Sequence, residues 1–184
     1  MKFSKELENL ISNSTSFRKD AILKNINWFA VGGKADLLFK PKNSQELQDF
    51  LTIKGDLPIF VMGVGSNVII RDGGFRGCVI RLGREFTNME KISANQIKVG
   101  AANLDANIAI FAKENNISGL EFLSGIPGTI GGGIKMNAGA YGNDFANCLI
   151  SAGGYDLSGE FHEFTNLELN YSYRKSSPPT ELIY

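Results

Sequence analysis

The chain has 184 residues, 43% of them hydrophobic, and its 19 Lys and Arg side chains balance 19 Asp and Glu side chains. A neutral chain without a basic run argues against nucleic acid as a partner. No stretch of about 18 apolar residues occurs, and charges interrupt the N-terminus before a secretory signal could form. We therefore expect a cytoplasmic protein without a membrane span, whose two cysteines are reduced thiols.

In chain order, residues 1–20 are predicted to form an N-terminal helical segment, followed by a small α+β unit over residues 21–85. Helix capping by Asn43 and Glu46 is the clearest local signal in this unit, because the side chains stand three residues apart. The other predicted elements are strands, at Ala35–Phe39, Ile59–Met62, Asn67–Ile70 and Val79–Arg81.

A second unit is predicted over residues 86–184. Its elements are a strand, a helix that begins at Asn103, a glycine-rich stretch and a hairpin that turns at Ser158-Gly159. The last four residues, 181–184, resemble the opening of a further strand. We therefore expect an incomplete C-terminus with an unpaired strand edge that favours association.

Two glycine-rich segments are the candidate ligand loops, in a chain with 21 glycines. The first is Gly63-Val64-Gly65-Ser66-Asn67, between two predicted strands. Backbone N–H groups in such a loop can approach a phosphate closely. Val68 stands where the dinucleotide fingerprint needs its last glycine, and the P-loop pattern is also missing. A tight turn without a ligand fits this segment equally well.

The second segment, residues 125–142, carries seven glycines, and it favours a backbone wall against a flat or phosphorylated ligand. Several separate turns are the alternative. Tyr173-Arg174 is a further candidate, because the arginine fork suits a carboxylate, although such pairs are usually surface residues. His162 is the single histidine, so no metal site is predicted and the side chain is expected to be solvated. Trp28 is interpreted as a core or domain-contact residue.

Six segments in order resemble the UDP-N-acetylenolpyruvoylglucosamine reductase family, of the FAD-binding superfamily that includes the vanillyl-alcohol oxidases (PCMH type). The resemblance covers about residues 25–184. The segments are Trp28-Phe29-Ala30-Val31-Gly32-Gly33, Gly63-Val64-Gly65-Ser66-Asn67 with Asp72 and Gly77, Gly119-Leu120-Glu121, Gly125-Ile126-Pro127-Gly128-Thr129, Asn137-Ala138-Gly139-Ala140-Tyr141-Gly142, and Tyr173-Arg174-Lys175-Ser176.

The resemblance implies an α+β fold in which two FAD-binding subdomains, 21–85 and 86–184, hold non-covalent FAD, with NADPH as the hydride donor. It implies that the first loop holds the pyrophosphate and that the second segment lines the flavin. The implied cofactor-binding residues of that second segment are Gly125, Ile126, Pro127, Gly128, Thr129, Gly132, Gly133, Asn137 and Gly139. Arg174 is implied as the cation that stabilises charge on the reduced substrate, and Tyr173 as its catalytic neighbour.

The sequence departs from the family pattern at the C-terminus. We expect the third, substrate-binding domain of the family, with its proton-donating serine and a later glutamate, to have no counterpart in these residues. The implied reaction reduces UDP-N-acetylglucosamine enolpyruvate to UDP-N-acetylmuramate in peptidoglycan precursor synthesis. The partner is thus a small UDP-sugar, a monomer is favoured, and this chain alone is expected to be inactive. The alternatives are another FAD-linked oxidase of the superfamily and a non-catalytic flavin-binding module.

Overall fold

The computed structural model describes residues 3–184, which divide into two compact units. Unit 1 extends to Gly83 and includes Leu157–Gly159, whereas unit 2 comprises Arg84–Asp156 and Glu160–Tyr184. The predicted boundary between residues 85 and 86 lies two residues after this division. Within residues 3–184, none of the helices is both long enough and apolar enough to cross a bilayer.

Unit 1 is a four-stranded sheet with two helices, in the strand order β1-β2-β4-β3. Strand β1 is antiparallel to β2, whereas β2, β4 and β3 are mutually parallel. The elements are α1 (Lys5–Asn13), β1 (Phe17–Ile22), β2 (Lys34–Phe39), α2 (Ser44–Ile53), β3 (Ile59–Val61) and β4 (Phe75–Ile80).

Side chains of both helices and of the central strands form the interior of unit 1. Four consecutive residues of β4, 77–80, are buried, which is the pattern of a strand covered on both faces. The rings of Phe39 and Phe50 lie 4.6 Å apart, so α2 packs on the sheet through aromatic contact. Asn43 Oδ1 accepts a hydrogen bond from the Glu46 N–H at 2.8 Å, as the capping prediction requires.

Two predictions for unit 1 were wrong. The sequence predicted a helical segment over residues 1–20, but the N-terminal helix ends at Asn13 and residues 17–20 belong to β1. Met1 and Lys2, the first two residues of that prediction, lie outside the described residues. Residues 67–70 form no strand. Local hydrophobicity predicted that strand, but the segment has no neighbour in the sheet with which it could pair.

Unit 2 combines two helices with three two-stranded sheets, which pair β5 with β6, β7 with β8, and β9 with β10. The α+β class is thus confirmed, and the hairpin β9–β10 was predicted from its turn. The elements are β5 (Met89–Lys91), β6 (Ile97–Val99), α3 (Asp105–Glu114), α4 (Ile130–Met136), β7 (Gly139–Ala140), β8 (Asn143–Asp144), β9 (Ser151–Tyr155) and β10 (Phe161–Thr165).

The C-terminus differs from the expectation of an unpaired edge. Ile183 exchanges two backbone hydrogen bonds with Tyr155 of β9, at 2.8 and 3.0 Å. Leu182 and Tyr184 are buried in the core of unit 2, beside Ile108 and Phe145. This burial removes the apolar surface that the sequence predicted to be exposed.

Candidate cofactor-binding site

The first glycine loop lies at the carboxyl edge of the parallel strands of unit 1. Met62, just after β3, donates its N–H to Ile80 O at the end of β4, and residues 63–67 follow directly. In open sheets of parallel strands this edge is where ligands commonly bind, because the loops there converge.

The backbone amides of this loop have no protein partner. Among the hydrogen bonds of residues 3–184, none is donated by the N–H groups of residues 63–67. Gly63 and Asn67 are exposed, and Val64 and Ser66 are half-buried. Consecutive unpaired N–H groups fit the oxygens of a phosphate, which accepts several hydrogen bonds at once. The loop therefore has the unpaired backbone donors that a phosphate-binding segment requires.

Gly65 is also required by packing within the protein. Its φ of +70° lies in the left-handed region, and an added Cβ would lie 2.9 Å from Asn27 Cα. Gly65 O accepts the Trp28 N–H at 3.2 Å, which joins the loop to residues 27–33. A glycine at this position is thus explained without a ligand, and only the neighbouring N–H groups indicate one.

Two side chains near this loop were missed or misread. The Arg81 guanidinium donates to Ile26 O at 3.3 Å, and burial lowers its pKa below the usual value. Arg81 directly follows β4, at the same edge as the loop. Trp28 is 63% exposed, so its interpretation as a core residue is wrong. The sequence did contain a signal for Arg81, namely a basic residue that directly follows a buried strand. Such a residue lies at the carboxyl edge of the sheet, where ligands commonly bind.

The second glycine segment is not simply a loop. A 3₁₀ turn, Glu121–Gly125, is followed by α4, which contains the triple glycine 131–133. Ile130 N–H donates to Asn103 O and Gly131 N–H donates to Ala101 O, so neighbouring backbone fixes the start of this helix. Asn103 therefore supports α4 instead of capping α3, whose N-cap residue is Leu104.

The glycines of this segment have different surroundings. An added Cβ at Gly133 would lie 2.3 Å from the Phe145 ring, and one at Gly125 would lie 2.5 Å from the Tyr141 ring. Gly132 is exposed, and its nearest neighbour would be Thr129 Oγ1 at 3.5 Å. Gly125, Pro127 and Gly132 are thus the exposed residues of the segment, whereas Thr129 is buried and Gly133 is needed for packing.

Asp105 is a buried carboxyl behind this turn, and the sequence did not indicate it. It is 0% exposed, and among residues 3–184 neither carboxyl oxygen has a hydrogen-bond partner. A Cβ added at Gly128 would lie 2.7 Å from Asp105 Oδ2. Burial raises the pKa of Asp105 to about 7, because an ionised carboxylate loses its hydration there.

Asn137 holds the Tyr173-Arg174 turn beside the glycine segment. Its Nδ2 donates to Ser172 O at 3.2 Å and to Asp144 Oδ2 at 3.3 Å, and its Oδ1 accepts the Ala146 N–H. Because the Asn137 amide makes all three of these hydrogen bonds to protein atoms, the contacts favour a positioning role for Asn137. Its predicted contact with the cofactor stays a prediction.

Arg174 and Tyr173 occupy the tip of a tight turn that Ser172 and Lys175 close with two backbone hydrogen bonds. Both side chains are exposed, and the guanidinium lies 5.4 Å from the Tyr173 ring centroid. Arg174 Nη2 donates to Gly139 O at 3.3 Å. Within unit 2 the structure thus brings the predicted Arg174 next to Gly139 and Asn137.

A possible ligand set for a metal lies on the β9–β10 hairpin. Within residues 3–184, Asp156, Glu160 and His162 form the one group of three whose ligating atoms lie within 4.8 Å of one another. His162 Nε2 lies 3.1 Å from Asp156 Oδ2, and His162 is half-buried, so the expectation of a solvated side chain is wrong. This hydrogen bond already engages the His162 ring and the Asp156 carboxyl.

The sequence profile of the FAD binding domain family matches residues 35–165. The chain belongs to this family. The FAD binding domain thus covers most of both units and contains both glycine segments, so the predicted cofactor class is confirmed.

The FAD binding domain is also similar to curated reductases. It is 49% identical over 168 residues to the UDP-N-acetylenolpyruvoylglucosamine reductase of Rickettsia rickettsii (strain Sheila Smith) and 48% identical to that of Rickettsia bellii. These alignments cover 91% of this chain but 57% and 56% of the relatives. The chain therefore spans little more than half the length of the curated relatives that it matches.

Solved structures agree with this family. The reductase of Thermus caldophilus superposes with a TM-score of 0.75 at 33% identity, over 91% of this chain and 62% of that one. The glucose dehydrogenase Phl p 4 superposes with a TM-score of 0.62 at 11% identity, over 88% of this chain and 38% of that one, which shows a shared fold only. The predicted fold of the FAD-binding superfamily is thus confirmed.

Proposed function

We propose that the chain is the FAD-binding part of a UDP-N-acetylenolpyruvoylglucosamine reductase, a cytoplasmic monomer that uses NADPH to reduce UDP-N-acetylglucosamine enolpyruvate. The 49% identity to the Rickettsia enzyme over 91% of this chain carries the proposal. The unpaired amides of residues 63–67 support it independently, because they are the donors that a pyrophosphate needs.

In this proposal the first loop binds phosphate oxygens through the N–H groups of Gly63 to Asn67, with the Ser66 hydroxyl and the Asn67 amide as further donors. The turn Ile126–Thr129, in which Pro127 is exposed, and the exposed Gly132 line the flavin, which supplies hydride transfer when it is bound. Gly125, Gly133, Asn137 and Gly139 act mainly by shaping this surface, since their neighbours are protein atoms. Their predicted direct contact with the cofactor is part of the proposal.

Arg174 is the residue that we assign to substrate chemistry. Its guanidinium is exposed, and within the described residues 3–184 its one hydrogen bond is the 3.3 Å contact with Gly139 O, so most of its donors remain available for an anion. A fixed cation stabilises developing negative charge on the enolpyruvyl carboxylate more than it stabilises the neutral reactant. Tyr173 stacks beside the guanidinium and limits its orientation.

The first experiment measures cofactor binding and turnover separately. The purified chain is saturated with FAD, passed over a desalting column and precipitated with acid. We expect a yellow protein that releases its flavin into the supernatant. Anaerobic NADPH is then added with and without the enolpyruvyl substrate in a version that has the full length of the relatives. A colourless protein that does not retain FAD would contradict the proposal. So would anaerobic NADPH consumption beyond one equivalent per flavin that is the same with and without the substrate.

The chain covers only part of the length of its relatives, and this favours a second candidate function, in which the chain alone binds flavin without turnover. It covers 57% of the Rickettsia relative, and this candidate assigns part of the catalytic machinery to the remaining length of that relative. Retention of FAD by the short chain, without substrate-dependent NADPH oxidation, would support this candidate. Oxidation of free sugars would instead favour an oxidase of the same fold.

A further inference from the structure

The turn that carries Arg174 is attached to the rest of unit 2 at both of its ends. Before the turn, the Ser172 carbonyl oxygen accepts a hydrogen bond from Asn137 Nδ2 at 3.2 Å. After the turn, the N–H and the hydroxyl of Ser176 both donate to Lys135 O, at 3.2 and 3.0 Å. Asn137 and Lys135 belong to the C-terminal end of α4. The direction of the turn therefore depends on the end of this helix, since the hydrogen bonds within the turn fix only its shape.

The buried side chain of Asn137 has one orientation that satisfies its neighbours. Its Nδ2 donates to Asp144 Oδ2 as well as to Ser172 O, and its Oδ1 accepts the Ala146 N–H. A flipped amide would place Oδ1 against two acceptors and Nδ2 against a donor, so all three hydrogen bonds would be lost. The Asp144 carboxylate, which can only accept hydrogen bonds, thus helps to direct the other N–H of this amide towards the turn.

The backbone of Asp144 is connected to the guanidinium of Arg174. Strand β8 pairs residue 144 with Gly139 of β7, and a Cβ added at Gly139 would lie 2.8 Å from Asp144 Cβ. Gly139 O in turn accepts a hydrogen bond from Arg174 Nη2 at 3.3 Å. The side chain of Asp144 therefore supports the base of the turn through Asn137, and its backbone pairs with the residue whose carbonyl oxygen contacts the guanidinium. Both the main chain and the side chain of Arg174 are thus connected to Asp144.

We propose that Asp144 is a positioning residue for Arg174, which it holds through the Asn137 amide on one side and through its strand partner Gly139 on the other. This inference rests on the proposed function, in which Arg174 stabilises charge on the substrate. A guanidinium that is already in place needs little reorganisation when that charge develops, which is where its contribution to the rate arises. Asp144 contacts neither substrate nor flavin in this proposal and acts through Arg174 alone.

Two substitutions of Asp144 separate its hydrogen bond from the rest of its side chain. Asp144→Ala removes the acceptor for Asn137, and it also removes Oδ1, which is buried without a hydrogen-bond partner among residues 3–184. The loss of overall stability should therefore be small. Asp144→Asn keeps the shape and can still present an oxygen to Asn137. The matched control is Glu90→Ala, which removes an exposed carboxylate from β5 of the same unit.

The first test measures opening of the turn in the 184-residue chain by limited digestion with trypsin and mass spectrometry. Cleavage after Arg174 requires the turn to open locally. We expect it to be about fivefold faster in Asp144→Ala, the equilibrium effect of losing one hydrogen bond, and unchanged in Asp144→Asn and Glu90→Ala. Cleavage after Lys113, an exposed residue of α3, reports general opening of unit 2 and should not change. Equal cleavage after Arg174 in the parent and Asp144→Ala, or a matching rise at Lys113, would overturn the proposal.

The second test measures catalysis in a version that has the full length of the relatives and is loaded with FAD. Asp144→Ala should lower kcat for substrate reduction about fivefold with little change in KM, because the cation that it positions acts in the transition state. Bleaching of the flavin by NADPH should be unchanged, and Asp144→Asn should restore most of the rate. If the parent turns over and Asp144→Ala has the same kcat, the inference is wrong while the proposed function stands.

A double-mutant cycle decides whether Asp144 acts through Arg174. Once Arg174 is replaced by alanine there is no guanidinium to position, so the further change Asp144→Ala should slow substrate reduction no more. Effects that multiply in the double variant would mean that Asp144 acts on another part of the site, and they would overturn the inference. A parent protein that neither retains FAD nor reduces the substrate would refute the proposed function, and this inference with it.

Discussion

Arg174 combines an exposed side chain with a strained backbone, because its φ of +56° lies in the left-handed region that few non-glycine residues adopt. The turn that it forms with Tyr173 points both side chains away from the protein interior. A non-glycine residue kept at such a φ is often functional, since glycine would be less strained there. This observation allows chemistry and folding to be tested by different substitutions at one position.

We predict that Arg174→Ala, in a version with the full length of the relatives, slows substrate reduction more than about tenfold, or 1.4 kcal/mol, while NADPH still bleaches the flavin. Arg174→Lys should restore little, because an ammonium lacks the planar fork. Arg174→Gly should be as slow as the alanine variant yet at least as stable, because it relieves the φ strain. Rapid-mixing kinetics and thermal unfolding are the measurements. Unchanged turnover in Arg174→Ala would exclude the assigned role.

Asp105 makes the folding stability depend on pH. Its folded-state pKa of about 7 lies above the unfolded value of about 3.9, so the folded chain binds the proton more tightly. Stability therefore falls as the pH rises from about 4 to about 7 and stays lower above that range.

We predict that Asp105→Asn raises the free energy of unfolding at pH 8 by on the order of 2 kcal/mol relative to the parent chain, with little gain at pH 4. Urea unfolding at both pH values measures the difference. The exposed Asp56, changed to Asn, is the matched control for the same substitution at an exposed site. An equal effect of Asp105→Asn at both pH values would mean that the carboxyl does not titrate in this range.

Elements with strong local signals were predictable from the sequence, and elements built by distant contacts were not. The cap of α2 and the turn of the β9–β10 hairpin depend on neighbouring residues, and both were found. Helix α4 was missed because three glycines oppose a helix by about 1 kcal/mol each. Hydrogen bonds from the Ile130 and Gly131 N–H groups to the carbonyl oxygens of Asn103 and Ala101, together with Phe145 packed on Gly133, overcome that preference.

The same distinction applies to the candidate site. The glycine segments and Arg174 were visible as patterns, whereas the burial of Asp105 depends on a turn more than twenty residues further along the chain. The positions of Trp28 and Arg81 also depend on the sheet, since only the parallel pairing of β3 and β4 places Arg81 at the edge that carries the loop. No local pattern contains that information.

Helix α4 offers a direct test of which glycines serve the ligand. Gly132→Ala adds a methyl group that meets nothing closer than 3.5 Å, so the unliganded chain should be equally stable or up to about 1 kcal/mol more stable. If Gly132 lines the flavin, FAD affinity should nevertheless fall. Thermal unfolding without FAD and fluorescence titration with FAD measure the two effects. Unchanged affinity would remove Gly132 from the site.

Gly133→Ala is the matched comparison on the neighbouring residue. Its Cβ would lie 2.3 Å from the Phe145 ring, so the core of unit 2 would have to shift. We expect a loss of about 1–3 kcal/mol of stability, as for other overpacked cores, and a loss of FAD binding that follows the loss of fold.

For the whole molecule, the decisive comparison is between this chain and a version extended by roughly 100–150 residues, the size of one further domain. We predict substrate-dependent NADPH oxidation for the longer version only, because positioned acid catalysis alone contributes roughly 10²–10⁴-fold. Both versions should stay dispersed in light scattering, since Leu182 and Tyr184 are buried here. Equal turnover would mean that the necessary groups all lie within these 184 residues.

The two cysteines lie in different units, and each is protected by its own core. Cys78 is fully buried in β4, and Cys148 is half-buried in unit 2. Burial raises the pKa of both thiols, that of Cys148 to about 11, so at neutral pH neither presents a reactive thiolate while its unit is folded. A thiol reagent would therefore react with the buried Cys78 only when unit 1 opens, and slowly with the half-buried Cys148 until unit 2 opens. The chain thus carries a natural reporter in each half, and mass spectrometry of pulse-labelled protein would resolve the opening rates of the two halves without any added probe.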